Sequence, residues 1–366
     1  MMILNARMAT AFKVGTYAAF GKCSGLLCNY SVFGDVFMDK KLLPFRKLNL
    51  GDRAWVLEKF KESNFQGCEY SFGNNFIWRN SYNLEVLDYK GFCLLLSTYN
   101  GATAYSYPAG NGNVDVKEAI EALMADASAR NAPFILRGVS QEKLDELMII
   151  FPDLFDYEID RGESDYIYLT ERLTTLSGKK LQSKRNHIAR FKDNPNWAYE
   201  PITRDNIDEC IAFNLKWCEE NGCEDDPELQ LEYCAVVQSF KHFFELEFTG
   251  GLLRRDGEVI AFTMGEPLNS DTFVVHIEKA FHHIQGTYPM INQQFIINNC
   301  QNYKYVNREE DVGDEGLRKS KLSYYPDILL NKYRLKLKER VCNDNLCENR
   351  DDCRSEGDLE RIVCRS

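Results

Sequence analysis

The sequence predicts an α+β fold of two tandem units, each a mixed sheet flanked by helices. Three observations predict it. The chain has 366 residues, room for about two domains with cores of their own. Hydrophobic residues make up 44% and charged residues 27%, a balance that a packed globular chain needs. One order of elements (meander, helix, strand, helix, strand) is also written twice along the chain.

Residues 1–37 carry small residues and a few aromatics without a sustained period, and read as a poorly ordered N-terminal extension. The first unit is expected over 38–170. In it, "NLEVLDYKGFCLLLSTYNGATAYSYP" has the pattern of an antiparallel meander, with turn signals at Tyr89-Lys90-Gly91 and Asn100-Gly101. The spacing predicts a helix from Val116 to about Ala127, with Val116, Ile120, Leu123 and Ala127 on one face. "PFILRGV", "QEKLDELMIIF" and "DYIYL" follow as strand, helix and strand. The second unit, expected over 171–338, repeats the order. "GGLLRRDGEVIAFTMGEPLNSDTFVVHIEKA" is a three-stranded meander turning at Asp256-Gly257. A helix opens at Gly286, then come a strand in "YKYVN", a helix from Asp314 and one last strand near "ILLNKYRLKL". Residues 339–366 are charged and bear cysteines, and read as a frayed tail.

Composition narrows the function. A formal net charge of −11 argues against a general nucleic-acid coat and leaves room for one local basic groove. No apolar run approaches the ~20 residues that span a bilayer. Lys13 and Lys22 interrupt any signal-peptide core. The expectation is a cytoplasmic monomer, in solution or peripheral at the inner membrane face. The 13 cysteines are an odd number without paired metal spacing, and read as buried thiols that need no disulfide. Cys342, Cys347, Cys353 and Cys364 do not match a zinc framework. No metal or redox cofactor is expected.

The most polarised stretch is "NREEDVGDEGLRKSKLSYYP", residues 307–326, in which acids precede cations. Asp314 fits the N-cap of a helix running to Tyr325, with Pro326 as its stop. Arg318 and Lys321, three apart, project from one face, and Leu317 and Tyr324 lie on the side of Lys321. Such a pair suits a phosphate or a developing oxyanion. The plainer reading is a solvated helix whose cations pair with Glu309, Glu310 and Asp311.

"GLRKSKLSYYP" resembles the signature Gly-Leu-Arg-x-x-Lys-x-x-aromatic-x-Pro of the C-terminal domain of phosphatidylglycerol lysyltransferases. A looser form recurs in Fem-type peptidoglycan aminoacyltransferases. The chain from about Pro44 to Lys338 is similar to an uncharacterised soluble branch of that superfamily, through "GKKLQSKRNHIARF", "VVHIEKA", "GTYPMINQQF" and the 307–326 stretch. The resemblance implies tandem GNAT-like domains that move an amino acid from a charged tRNA to a lipid headgroup or another amine or hydroxyl. It puts Lys321 on the family's catalytic lysine. The lysyltransferases' membrane-spanning half has no counterpart here, and "VVHIEKA" differs from their corresponding strand, so donor amino acid and acceptor stay open.

Three further groups of residues complete the reading. In "GKKLQSKRNHIARFK", a helix capped by Ser177 would present Lys180, Lys184 and His187 on one face. With Lys179 and Arg185 they form a footprint for a tRNA acceptor end or another polyanion, or they merely balance acidic neighbours. In "HIEK", His276 and Glu278 share a strand face and could take an acceptor's proton, with Lys279 on the other side; a satisfied core histidine is the alternative. Gly286 opens a helix where a GNAT enzyme binds pyrophosphate, but the single glycine without a basic residue counts against coenzyme A, and Asn292, one turn in, is expected to face the pocket instead. Asn307, Glu309, Asp311 and Tyr324 are expected around that pocket, and the first unit is expected to be structural. The function read here is an aminoacyl or acyl transferase with aminoacyl-tRNA or acyl-CoA as co-substrate. The alternatives are a coenzyme-A-dependent N-acyltransferase and a non-catalytic module that binds a phosphorylated ligand.

Overall fold

The computed structural model describes residues 41–338, so the expected extension 1–37, the tail 339–366 and the tail cysteines lie outside the described residues. Both meanders form where turn chemistry places them. Lys90-Gly91, Asn100-Gly101 and Asp256-Gly257 all have positive φ, between 49° and 90°, which a tight two-residue hairpin turn requires.

The first half contributes β1 (Arg46–Lys47), β2 (Glu85–Tyr89), β3 (Phe92–Tyr99), β4 (Ala102–Ser106), β5 (Ile135–Val139) and β6 (Phe155–Ile159). The strand that follows, β7 (Asp165–Leu169), does not join them. The second half contributes β8 (Trp197–Pro201), β9 (Thr249–Arg255), β10 (Glu258–Pro267), β11 (Thr272–Ala280), β12 (Tyr305–Asn307) and β13 (Ile328–Leu330), followed by β14 (Tyr333–Leu337). One seven-stranded sheet has the order β1-β2-β3-β4-β5-β14-β6 and the other β13-β7-β12-β11-β10-β9-β8. Both sheets are mixed, with β4–β5 and β11–β12 parallel and the other pairs antiparallel. The fold is thus α+β, and the repeated GNAT-type order of elements is present in both halves.

The last strand of each half is exchanged. β7 lies between β12 and β13, and β14 lies between β5 and β6, in corresponding places of the two sheets. Two expectations change accordingly. A boundary at residue 170 does not divide the sheets, because 165–169 belong with the second half and 333–337 with the first. "ILLNKYRLKL" is also two strands rather than one, broken at Asn331-Lys332 and sent into different sheets.

The cores show the same interlock. The helices Val116–Ala129 and Gln141–Ile150 pack Ile120, Leu123, Leu144 and Leu147 against the first sheet, and Leu335 of β14 is buried among them. The helix Thr287–Asn299 covers one face of the second sheet with Met290, Ile291 and Phe295, beside Tyr166 and Tyr168 of β7. On its other face, Phe213, Trp217 and Phe240 form one continuous core with Phe72, Phe76 and Trp78 of the first half. Residues 41–170 and 171–338 expressed separately are therefore each expected to lack a cooperative thermal transition that the joined chain shows. A far-UV circular dichroism melt checks this, and a sharp melt of either piece alone would refute it.

The expectation of buried thiols without a disulfide is corrected at two places, one of them Cys234, a free thiol that is exposed. Cys218 and Cys223 form a disulfide across the end of the helix Ile207–Asn221, where Gly222 turns the chain back with φ 67°. Cys68, Cys93, Cys210 and Cys300 are buried free thiols.

Candidate active site

The two exchanged strands begin at one buried point. Asp165 opens β7, Lys332 immediately precedes β14, and the Lys332 ammonium lies 2.8 Å from Asp165 Oδ1 and 2.7 Å from Glu69 Oε2. Asp165 Oδ2 accepts from the Cys68 backbone N–H and from Asn307 Nδ2, both at 2.8 Å. The Cys68 thiol donates to Glu310 Oε2 at 3.1 Å. Burial pushes the Glu310 carboxyl up, against the pull of Lys332, to about 8. Burial likewise raises Glu69, with Lys332 opposing it. Cys68, Glu69 and Asp165 bring ligand atoms together as a metal site would, but the cation that meets two of them is the Lys332 ammonium.

Two cavities meet beside this cluster. A cleft of about 930 Å³ runs between the first half and Asn269, Asp271 and Leu330–Lys332; a chamber of about 110 Å³ lies next to it. Glu69, Gly138 and Lys332 line both. A Cβ at Gly67 or at Gly138, where φ is 68°, would collide with the Glu69 carboxylate, so two glycines make its room. The first half, expected to be structural, supplies most of the cleft wall.

The polarised loop is held from below by the two cations expected to act at its surface. Asp314 caps the helix Glu315–Leu322, accepting from Leu317 N–H at 2.5 Å. Arg318 makes a two-pronged pair with Asp311 at 2.8 and 2.9 Å. Asp311 also takes Arg161 and the Tyr166 hydroxyl. Lys321 is 4% exposed, and its ammonium donates to the carbonyls of Arg308, at 2.7 Å, and Glu310. Burial lowers the Lys321 pKa. Neither Arg318 nor Lys321 lines either cavity. Glu309 and Val312 adopt positive φ, 57° and 48°, a conformation that these anchors sustain. The helix stops at Leu322, three residues before the expected end, with Tyr325 left-handed ahead of Pro326.

His276 and Glu278 do not share a face. Pairing slips between Met264 and Gly265, so that Ile277 opposes Met264 but Val275 opposes Gly265 and His276 is the extra residue of a β-bulge. His276 turns to Glu309 at 2.8 Å and Glu266 at 3.0 Å, with Ser71 at 3.3 Å. Glu278 instead meets Arg308 at 2.9 Å and Asn292 at 2.8 Å. Burial disfavours the imidazolium, but the two carboxylates outweigh burial and raise His276 to about 9. Its charged form is favoured in the fold over its ordinary 6.5. The associated stability is thus fully present below about pH 6.5 and lost as pH rises through about 9, at about 3 kcal/mol. Glu310 adds to the same trend, since the unfolded chain releases its proton from about pH 4.5 upward. Denaturant unfolding at pH 6.5 and 9.5 is expected to show this fall, and His276→Gln to flatten it. Stability rising over that window would contradict the assignment.

The basic stretch begins as a short turn of 3₁₀ helix, Lys179–Leu181, capped by Gly178 and without a side-chain cap from Ser177, and continues as the helix Gln182–Lys192. Lys184 lies 4.0 Å from the Tyr324 ring and Lys180 5.1 Å from the Tyr325 ring. Burial and the neighbouring Arg308 push Lys184 down to about 8. Arg185 is spent on the carbonyls of Leu176 and Gly178. A Cβ at Gly286 would strike the His187 carbonyl. Gly286 therefore serves the close approach of two helices.

Residues 60–336 match the family described as phosphatidylglycerol lysyltransferase, C-terminal. The chain belongs to this family. A conserved protein of unknown function from Bacteroides thetaiotaomicron is 40% identical, with TM-score 0.78 over 81% of this chain and all of that one. The C-terminal domain of a candidate lysylphosphatidylglycerol synthetase from Agrobacterium fabrum shares the fold at 12% identity and TM-score 0.57, over 78% of this chain and 92% of that one. L-PGS from Bacillus licheniformis does so at 14% and 0.52, over 74% and 93%. An uncharacterised protein of Mycoplasmoides gallisepticum is 28% identical over 54% of this chain and 68% of its own length. Family and fold point to an acyl-transferring enzyme. No described helix is long and apolar enough to cross a membrane.

In this member of the lysyltransferase C-terminal family, Arg318 and Lys321 lie apart from the two cavities, while Glu310 of the same stretch lines the chamber. The structure brings Asn307, Glu309, Asp311, Arg318 and Lys321 together in one loop-and-helix unit, with His276 against Glu309. It gathers Glu278, Asn292, Lys184 and Tyr324 around Arg308. It leaves Lys179, Arg185, His187 and Gly286 outside both groups. Spacing gave no hint of Glu69, Lys332, Cys68 or Asp165. The usable signals were a charged residue at the head of each exchanged strand and glycines at 67 and 138.

Proposed function

We propose that this chain is an aminoacyltransferase whose reaction occurs where the cleft meets the chamber, with Glu69 as general base and Lys332 beside it as the cation. The observation that carries this is the Glu69 carboxylate: it lines both cavities, is raised by burial and is paired with the Lys332 ammonium. The acceptor amine or hydroxyl attacks the ester carbonyl carbon of a charged tRNA while Glu69 takes its proton. The carbon–oxygen bond to the 3′ oxygen then breaks, and Glu69 returns the proton to that oxygen. Lys332 offsets the negative charge that develops on the carbonyl oxygen.

Arg318 and Lys321 act in this reading as positioning residues that hold Glu309 and Glu310 behind the site. Lys179, Lys180 and Lys184 are assigned to the donor's phosphates, and the acceptor is a lipid headgroup or another amine or hydroxyl compound. Coenzyme A is less well served. The N–H groups of Gly110, Asn111 and Asn113 at the cleft are taken by Ser63, Glu62 and the Lys90 carbonyl.

The test is a discharge assay with a mixed pool of labelled aminoacyl-tRNAs and a membrane and small-molecule extract. Loss of label from tRNA with the native chain, abolished in Glu69→Gln, is the expected result. No discharge from any tRNA would overturn it.

A further inference from the structure

The helices Ile207–Asn221 and Pro227–Lys241 bury one face each, with Phe213, Trp217, Val236 and Phe240 in the core shared by the two halves. Their outer face keeps apolar side chains in solvent: Ile211, Leu215 and Val237 are 37%, 47% and 37% exposed. Between the start of the first helix and the end of the second lies a groove of about 520 Å³, lined by Ile207, Ile211, Phe240 and Phe244 and rimmed by charged groups. Arg204 crosses its end, 4.0 Å from the Phe244 ring. Leu215, one turn beyond Ile211 on the same stripe, stands outside the groove. The face thus carries an apolar knob and an apolar hole, side by side, that one chain does not bring together.

The charges on this face are placed symmetrically. Glu209 is held by Arg254, but Asp208, Lys216 and Glu219 are exposed and make no ion pair among the described residues. Asp208 and Lys216 lie four residues before and four after Ala212, and Arg204 and Glu219 lie eight before and seven after. Two opposite-charge pairs are therefore centred on one small, exposed residue. The face as a whole carries both signs in balance, Arg204, Lys216 and Lys241 against Asp208, Glu219 and Glu245. An anionic bilayer selects a cationic excess, whereas balanced and reciprocal signs suit a copy of the same surface.

We infer that this face joins two copies of the chain, with the helix Ile207–Asn221 antiparallel to its counterpart about a two-fold axis at Ala212. Asp208 then meets the partner's Lys216 and Arg204 the partner's Glu219, each pair occurring twice. Ala212 lets the helices cross closely, and Leu215 falls between the partner's Ile207 and Ile211 at the mouth of the groove. None of these residues lines the cleft or the chamber, so the pairing leaves both sites as they are. Each helix has 15 residues and is about 22 Å long. The contact is accordingly small and of the weak, exchanging class, with a dissociation constant of about 1–100 µM.

Sedimentation velocity of the full chain from about 5 to 300 µM is expected to show a reversible monomer–dimer equilibrium. Leu215→Glu is expected to weaken it at least about tenfold, with the far-UV circular dichroism spectrum unchanged. Asp208→Lys or Lys216→Asp turns two attractive pairs into two repulsive ones, and each is expected to weaken association about tenfold. The double variant Asp208→Lys, Lys216→Asp restores opposite charges across the axis, and is expected to return to within about threefold of the native affinity. An unlike partner or a bilayer gives no such recovery. A chain that stays monomeric over that range overturns the inference, as does a dimer indifferent to Leu215→Glu or a double variant no better than the single ones. Binding of the monomer to vesicles of anionic phospholipid, lost in Leu215→Glu, would make a bilayer the occupant and overturn it as well.

Discussion

Glu69→Gln is expected to lower turnover by about 10²–10⁴-fold while the protein still folds and still binds its substrates. The substitution keeps the side chain's shape in the space left by Gly67 and Gly138, and removes its capacity to take a proton. The comparison that matters is turnover against binding. A catalyst loses the first and keeps the second, measured by single-turnover discharge and by titration of uncharged tRNA. A non-catalytic module for a phosphorylated ligand shows no turnover in either form. Retention of more than about a tenth of native turnover in Glu69→Gln would remove Glu69 from the mechanism.

Lys332→Met is expected to destabilise the fold by about 3–5 kcal/mol, because it leaves a fully buried Asp165 carboxylate without its cation. The double variant Lys332→Met, Asp165→Asn is expected to recover a large part of that loss, since the uncompensated charge is gone and the Cys68 and Asn307 hydrogen bonds to position 165 can persist. Denaturant unfolding of the four proteins in the cycle measures both numbers. Additive losses would mean that the pair does not lock the two exchanged strands together at their common start.

Much of the local structure was legible. The hairpin turns at 90–91, 100–101 and 256–257, the Asp314 cap and the apolar face from Val116 to Ala127 follow from residue chemistry within a few positions. That Leu317 and Tyr324 lie on the side of Lys321 was also visible as helical spacing. What that spacing could not reveal is where the ammonium goes. It binds the Arg308 and Glu310 carbonyls of its own preceding loop.

The His276–Glu278 pairing failed for a specific reason. Strand alternation holds until a bulge inserts one residue, and the bulge depends on Gly265, whose missing Cβ lets the Val274 carbonyl approach. Nothing in "VVHIEKA" itself marks the slip, because its cause lies on the neighbouring strand.

The sequence by itself determined the two repeats, their turns and caps, and the family to which they belong, since each of these depends on neighbours in the chain or on a contiguous motif. The tertiary structure alone decided that β7 and β14 change places. A strand's alternation fixes which side chains share a face, not which sheet receives it. That exchange brings residues 68, 69, 165, 310 and 332 to one buried point between two cavities, through contacts that span up to 264 positions of sequence. A site assembled from such distant positions has no spacing of its own, and so it became visible only once the two halves were interlocked.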